Sequence, residues 1–243
     1  MKKSNFTIIE NKLISDTVYV MALSGDTDTV TVPGQFVEIE LNCGFLRRPF
    51  SIFDKHESGF SIAYKVIGKG TERMTELDSG TEVNVLTGLG NGFDLSRAGC
   101  RPLLLGGGIG IAGIHWLCKS LITAGAKPAV VLGLNTAAED CYSNLFKSFA
   151  ADVAVTTVDG SAGVKGFVTN GVEQFPDATF LYACGPLPML KAVVALDIPG
   201  QVSMEARMGC GFGACMGCSI ETKYGSKRVC KEGPVFDKED IVW

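Results

Sequence analysis

Four cysteines crowd the last 34 residues of a 243-residue chain. Their spacing is Cys210-x4-Cys215-x2-Cys218, then eleven residues to Cys230. A C-x4-C-x2-C run followed by a distant cysteine is a ligand spacing of 2Fe–2S centres. Two sulfide-bridged irons need four converging thiolates, so the chain must wrap tightly around them. Gly209, Gly211, Gly213 and Gly217 lie among the cysteines, able to take unusual backbone angles. They also let amide N–H groups approach sulfur, which tunes reduction potential, and Ala214 adds no bulk. The rivals are a structural zinc site and disulfides. Four-cysteine zinc sites usually join two close-spaced couples, and only Cys215-x2-Cys218 is one here.

Other residues with chemical potential lie upstream. Arg48-Pro49-Phe50-Ser51 offers a guanidinium that can fork onto a phosphate and a hydroxyl for a flavin ring or phosphate. Gly70-Thr71 can present N–H groups to a pyrophosphate at the start of a helix. Singly, these read equally as a surface charge and a plain helix cap. Gly108-x-Gly110-x-x-Gly113 is the spacing of a dinucleotide-binding turn. The acidic residue expected about twenty positions on is missing at Gly133-Leu134-Asn135. Pro128 to Asn144 contains no Lys or Arg but does contain Glu139 and Asp140, which favours NADH over NADPH. Cys184-Gly185-Pro186 ends an apolar run; by itself it reads as a buried thiol.

The elements that must position these residues fall into two rhythms. Strand patterns occur at Phe6–Glu10, Val18–Leu23, Gln35–Leu41, Phe50–Phe53, Phe60–Ile67 and Glu82–Leu86, separated by turn signals such as Asn42-Cys43-Gly44. One short helix, Thr71–Leu77, interrupts them, and six such strands predict a small antiparallel barrel. From Arg101 strands alternate with helices: Pro102–Leu105, helix Ile111–Thr123, Ala129–Leu134, helix Ser143–Phe149, Val153–Thr157, Phe180–Ala183 and helix Leu187–Leu196. That alternation predicts a parallel sheet with helices on its faces. A brief strand, Gln201–Ser203, precedes the cysteine segment. The fold class is thus all-β plus α/β, with units at residues 1–99, 100–200 and 201–243.

Composition narrows the function. A hydrophobic fraction of 46% suits a sizeable core, and a net charge of −4 argues against nucleic-acid binding. The basic start is followed by too short an apolar stretch for a signal peptide, and no run of about 18 apolar residues exists. A cytoplasmic protein without a membrane span is expected. Nine cysteines in such a chain point to a redox or metal centre rather than a disulfide scaffold. Cys43, Cys100, Cys118 and Cys141 lack partners at ligand spacing, and His56 and His115 make no metal site. Without Gly-x-Ser-x-Gly there is no nucleophile elbow.

Taken together, the RPxS strand, Tyr64-Lys65-Val66 and Gly68-x-Gly70-Thr71 resemble the FAD domain of the ferredoxin–NADP reductase superfamily. With the cysteine segment added, the whole length resembles the electron-transfer subunits of NAD-dependent heteromeric dihydroorotate dehydrogenases. Leu46–Ser51, Gly88–Phe93, Gly106–Gly110, Cys184–Pro186 and Met204–Gly211 carry the likeness. It implies FAD contacts from Arg48, Pro49, Phe50, Ser51, Ala63, Tyr64, Lys65, Gly70 and Thr71. It implies NAD(H) contacts from Gly108, Gly110, Cys184 and Gly185, and cluster ligation by Cys210, Cys215, Cys218 and Cys230. Lys65 stands where Arg is expected and lacks the bidentate fork, and Ala112 replaces a common Pro.

The resemblance also implies a partner: an FMN-containing dihydroorotate dehydrogenase catalytic subunit of pyrimidine biosynthesis, in a two-plus-two heterotetramer. Electrons would pass between NAD(H), FAD, the 2Fe–2S cluster and that partner. A second reading keeps the parts and makes the chain a small subunit of an NADH-dependent ferredoxin:NADP reductase or related oxidoreductase. In those an Asp stands among the cluster ligands, whereas this chain has four cysteines. A third reading is a non-enzymatic flavin- and zinc-containing sensor or scaffold.

Overall fold

The computed structural model describes residues 1–41, 44–149 and 152–243. The turn expected at Asn42-Cys43-Gly44, and the isolated Cys43, therefore fall in part outside the described residues.

The first unit is a closed barrel of six strands: β1 (Lys2–Ser15), β2 (Val18–Ser24), β3 (Phe36–Ile39), β4 (Arg48–His56), β5 (Gly59–Lys65) and β6 (Glu82–Leu89). Neighbours follow the order β1-β2-β5-β4-β3-β6, and every pair is antiparallel. The expected first strand, Phe6–Glu10, is the middle of a longer one. Residues 2–7 of β1 pair with β6, and residues 7–15 pair with β2 across register shifts. One long strand thus serves two neighbours and closes the barrel. Phe6, Ile8, Met21, Ile39, Phe60, Ile62 and Val85 fill its interior.

The expected helix Thr71–Leu77 forms two residues earlier as α1 (Lys69–Thr75). The Thr71 hydroxyl accepts from the N–H groups of Ile67 and Gly68 and donates to the Gly68 carbonyl, which starts the helix at Lys69.

The second unit is built on β7 (Pro102–Gly107), β8 (Ala129–Leu134), β9 (Asp152–Thr157), β10 (Val164–Lys165), β11 (Phe180–Cys184) and β12 (Gly200–Ser203), all parallel. Both faces of β7 and β11 are covered, so every residue of these two strands is buried. The helices are α2 (His115–Thr123), α3 (Ser143–Lys147), α4 (Val168–Gly171) and α5 (Leu187–Val194). The helix expected over Ile111–Thr123 is split: Gly108–Ile114 is a 3-10 turn, and α2 begins only at His115. The reason is crowding. A Cβ on Gly106 would lie 2.9 Å from the Ile111 Cα, and one on Gly110 would lie 2.6 Å from the Cys184 carbonyl oxygen. The glycine-rich turn is wedged between β7 and β11 and tightens accordingly.

Beyond β12 the chain forms the cysteine loop, a hairpin of β13 (Ser219–Thr222) and β14 (Gly225–Arg228), then β15 (Val235–Asp237). Strand β15 pairs antiparallel with β12, completing a seven-stranded sheet in the order β10-β9-β8-β7-β11-β12-β15. The ammonium of Lys238, 5% exposed, donates to the carbonyls of Leu196 and Val194 and closes the C-terminal end of α5. The cysteine segment is therefore bolted to the sheet at both ends.

The barrel and sheet meet through α2. His115 stacks on Phe53 at 4.1 Å, Lys119 pairs with Asp54, and Trp116 packs into the barrel core. No helix among the described residues is long and apolar enough to cross a membrane.

Candidate redox site

A cavity of about 330 Å³ opens where barrel, sheet and cysteine segment converge. Pro49, Phe50 and Ser51 reach it from β4, and Ala63, Tyr64 and Lys65 from β5. Thr71 comes from α1, Gly110 from the 3-10 turn and Cys184 from the end of β11. Strands β3 and β4 place Pro49 opposite Glu38 and Ser51 opposite Phe36, so Phe36 also joins the wall.

Hydrogen bonds within the protein hold several of these side chains. Tyr64 is 1% exposed, and its hydroxyl donates to Asn11 at 3.0 Å while its ring stacks on Tyr19, so its polar end faces the barrel core. Burial raises its phenol pKa to about 12. The Thr71 hydroxyl is committed to the turn before α1, leaving its backbone as the group free to meet a ligand. Lys65 lies 3.9 Å from Glu139, a solvent-exposed ion pair that spans barrel and sheet. Arg48 lies outside the cavity lining, with its Nε only 3.0 Å from where a Cβ on Gly70 would be. Glycine there lets the guanidinium lie flat against the start of α1.

Cys184 is 3% exposed, and burial pushes its thiol up to about 12, with Glu205 adding to the shift. It is a packing thiol, not a thiolate nucleophile. A Cβ on Gly113 would stand 2.7 Å from the Cys184 Sγ and 3.9 Å from the Ser51 Oγ. The third glycine of the Gly-x-Gly-x-x-Gly run is thus what lets barrel strand, sheet strand and the 3-10 turn before α2 meet.

A second cavity, about 360 Å³, lies over the C-terminal ends of β7, β8 and β9. Gly108 lines it with φ +53° and nothing near its open face. Asn135, Val158, Phe167, Pro188 and Met189 form the walls. Gly185 sits beside it, and the Met189 sulfur fills the space against both Gly107 and Gly185. Ends of parallel strands are where open α/β sheets bind ligands. The Asn135 side chain and backbone N–H hold Glu139 at this edge.

Residues not assigned to the site from the sequence also line the first cavity: Ile67, Ile109, Ala112, Ser203, Met204, Glu205, Ala206, Met208 and Pro234. Met204, Glu205, Ala206 and Met208 belong to the Met204–Gly211 run that carries the likeness, which connects β12 to Cys210.

The cysteine loop follows directly. Cys210 Sγ accepts from the N–H groups of Ala214 at 3.2 Å and Cys215 at 3.4 Å, and Cys215 Sγ accepts from Gly217 at 3.5 Å. Burial opposes ionisation of Cys210, but N–H donors from Cys215, Phe212 and Ala214 outweigh it and bring the thiol down to about 6. Cys218 and Cys230 are buried; the Cys230 N–H donates to the Cys218 Sγ at 3.4 Å, and burial beside Cys218 pushes the Cys230 thiol up to about 12. Of the four glycines, Gly211 (φ +73°) and Gly213 (φ +94°) take left-handed angles. Gly209 and Gly217 do not; a Cβ on Gly209 would lie 3.3 Å from the Cys215 sulfur, a tight contact, and one on Gly217 3.6 Å, an ordinary one. Met216, at φ +61°, occupies the remaining left-handed position.

The sulfurs form two couples. Cys210 and Cys215 share one hydrogen-bonded contact, and Cys218 and Cys230 share another. No three metal-ligating side chains converge on one ion-sized point among the described residues. Two couples of thiolates, one for each of two irons, fit that donor set. Arg228 pins the loop through the Gly213 carbonyl, and Asn91 ties the barrel exit to the segment by bonds to Glu232 and Val235.

Barrel plus parallel sheet, with a cavity between them, define the class of reductase-like two-domain folds. The chain superposes on a ferredoxin NADP+ reductase from Neisseria gonorrhoeae, solved with FAD and NADP, with TM-score 0.67 at 17% identity, covering 79% of this chain and 88% of that one. A solved NADH-dependent reduced ferredoxin-NADP oxidoreductase, described for flavin-based electron bifurcation, is more similar: TM-score 0.89, 30% identity, 98% of this chain and 90% of that one. Residues 205–242 match the iron-sulfur cluster binding domain of dihydroorotate dehydrogenase B. The dihydroorotate dehydrogenase B (NAD(+)) electron transfer subunit of Bacillus pumilus (strain SAFR-032) is 40% identical over 99% of this chain and 98% of its own length. The chain belongs to the family of electron transfer subunits of dihydroorotate dehydrogenase B, and is an oxidoreductase subunit.

Proposed function

We propose that this chain carries electrons between NAD(H), bound over the sheet, and an FMN-containing dihydroorotate dehydrogenase catalytic subunit in a two-plus-two assembly. The observation that supports it best is continuity: Ser203, Met204, Glu205, Ala206 and Met208 wall the first cavity, and Cys210 follows two residues later. FAD would accept electrons as a hydride and release them singly to a 2Fe–2S centre, which carries one at a time.

The residues divide the work by place. Phe36, Phe50, Ile109 and Met204 give the cavity apolar walls suited to a flavin ring, with Ser51 as the polar group on β4. Arg48, Gly70 and the Thr71 backbone would take its phosphates, and Pro49, Ala63, Tyr64 and Lys65 would complete the barrel face. Gly108, Gly110, Cys184 and Gly185 would admit the nicotinamide dinucleotide by keeping the turn and strand ends low. Cys210 and Cys215 would ligate one iron, and Cys218 and Cys230 the other. Residues 1–99, 100–200 and 201–243 would be the flavin, nicotinamide and cluster units, the last sharing the second unit's sheet through β12 and β15.

Likeness to the ferredoxin-NADP oxidoreductase supports a second reading, in which the partner differs and the relay is the same. Purifying the chain with the catalytic subunit and assaying NADH-dependent orotate reduction decides between them. Loss of orotate reduction when this chain is omitted supports the first reading; an unchanged rate overturns it.

A further inference from the structure

Glu38 is a carboxyl residue in the middle of β3, on the same face as the cavity-lining Phe36 two residues before it. It is 1% exposed, and its Oε1 has no hydrogen-bond partner. The nearby cation does not satisfy it: the Arg47 guanidinium is engaged by Glu40 and by the side chain and carbonyl of Asn84. A buried oxygen left without a partner is unfavourable and calls for an explanation.

What the carboxyl touches supplies one. A Cβ on Gly211 would lie 2.3 Å from the Glu38 Cδ and 2.5 Å from each carboxyl oxygen. The carboxyl therefore sits flat against the Cα of the residue that follows Cys210. Gly211 is also one of the two left-handed glycines of the loop, so its backbone turns on the surface Glu38 provides.

We propose that Glu38 is a positioning residue for the cluster: its buried carboxyl braces the Cys210–Cys215 loop from the barrel side. The bracing fixes Cys210 relative to the strand that also walls the flavin cavity. This rests on the assignment of Cys210 as an iron ligand. A strand spanning both places holds cluster and flavin at one separation, whatever the rest of the cysteine segment does. The three atoms nearest that Cβ position all belong to Glu38.

The test uses the full chain in its complex, comparing wild type with Glu38→Ala, Glu38→Gln and Glu38→Asp. The readouts are iron and flavin content, the electron paramagnetic resonance g-values of the dithionite-reduced cluster, and its midpoint potential. Bracing requires that Glu38→Ala keep its flavin while its g-values and midpoint shift; loss of iron with flavin retained is the stronger form of the same result. Glu38→Gln, which has the same shape, should restore both signals. If Glu38→Ala does not fold, Glu38→Asp, one carbon shorter, carries the test by the same shifts. Wild-type g-values and midpoint in the alanine variant, or in the aspartate variant where that one carries the test, overturn the proposal. So does a glutamine variant shifted as far as alanine. Absence of iron from the wild-type complex instead overturns the ligand assignment, and the two failures are told apart at the first measurement.

Discussion

The guanidinium of Arg228 donates to the carbonyl oxygen of Gly213 at 2.7 Å, joining the hairpin after the cysteine loop to the loop itself. The same side chain is oriented by Glu232, whose carboxyl accepts from its Nε and from its backbone N–H. Hydrogen bonding to Arg228 holds the Glu232 carboxyl down at about 2. The bond fastens the left-handed stretch between Cys210 and Cys215 to the β14 end that leads to Cys230.

Replacing Arg228 with Ala removes that fastening and leaves all four cysteines in place. The bond lies near the surface, so its loss should loosen the loop without unfolding the chain. The expected outcome is a cluster that assembles but leaves a fewfold faster when a chelator is added. Decay of visible absorbance against time measures it, and decay at the wild-type rate would remove Arg228 from the account.

Cys218 is buried and its Sγ accepts from the Cys230 N–H, whereas Cys215 is exposed. Cys218→Ala should abolish the cluster absorbance and the roughly two irons per chain that a 2Fe–2S centre requires. Oxidation of NADH by artificial acceptors should persist, because the cavities on the barrel and sheet do not use that sulfur. A variant that keeps its cluster and passes electrons to the partner at full rate shows the ligand set to be wrong.

The close approach of Gly113 to Cys184 makes a third test. An alanine there must displace the Cys184 sulfur 2.7 Å away, at the buried end of β11 with the Ser51 hydroxyl 3.9 Å off. Overpacking of this kind costs about 1–3 kcal/mol. Thermal unfolding should shift down, and NADH oxidation by ferricyanide should fall with it, since the Cys184 corner would move against Ser51. Cys184→Ala in the same background removes the obstructing sulfur and should restore part of both.

What the sequence revealed of this arrangement follows from where the physics is local. Cysteine spacing and the glycines around it are fixed by ligation geometry within about twenty residues, so the Cys210–Cys230 segment was legible. Period-two runs placed all six barrel strands, but not the reach of β1, because pairing with β6 on one half and β2 on the other is decided by closure. The split of the expected helix at His115 arises from contacts between Gly106, Gly110 and the end of β11, far apart in the chain. Glu38 and Asn91 had no signal of their own. Each matters only because folding brings residues 211 and 232–235 against it. Tyr64 and Thr71 were found by position in a motif, which could not say that their hydroxyls are turned to Asn11 and to the start of α1.

His115 gives the pH dependence of the joint between barrel and sheet. Its ring is 5% exposed, stacked on Phe53 and edge-on to Phe146 and Phe149, and its Nδ1–H donates to the Phe53 carbonyl at 3.2 Å. Burial brings its pKa down from 6.5 to about 4, against the opposing pull of Asp54, with Lys119 and His56 adding to the depression. Above pH 6.5 the ring is neutral in both folded and unfolded chains and contributes no slope. Between pH 6.5 and about 4 the unfolded chain binds a proton that the folded one refuses, so stability falls as pH falls. The loss over that window amounts to roughly 3 kcal/mol. A His115→Phe variant keeps an aromatic ring against Phe53 and cannot titrate. Denaturant unfolding from pH 8 to pH 4 should show the wild type losing stability faster than the variant below pH 6.5, with a constant difference above it. Parallel curves across the whole range would mean that His115 takes up its proton equally in the folded and unfolded chains.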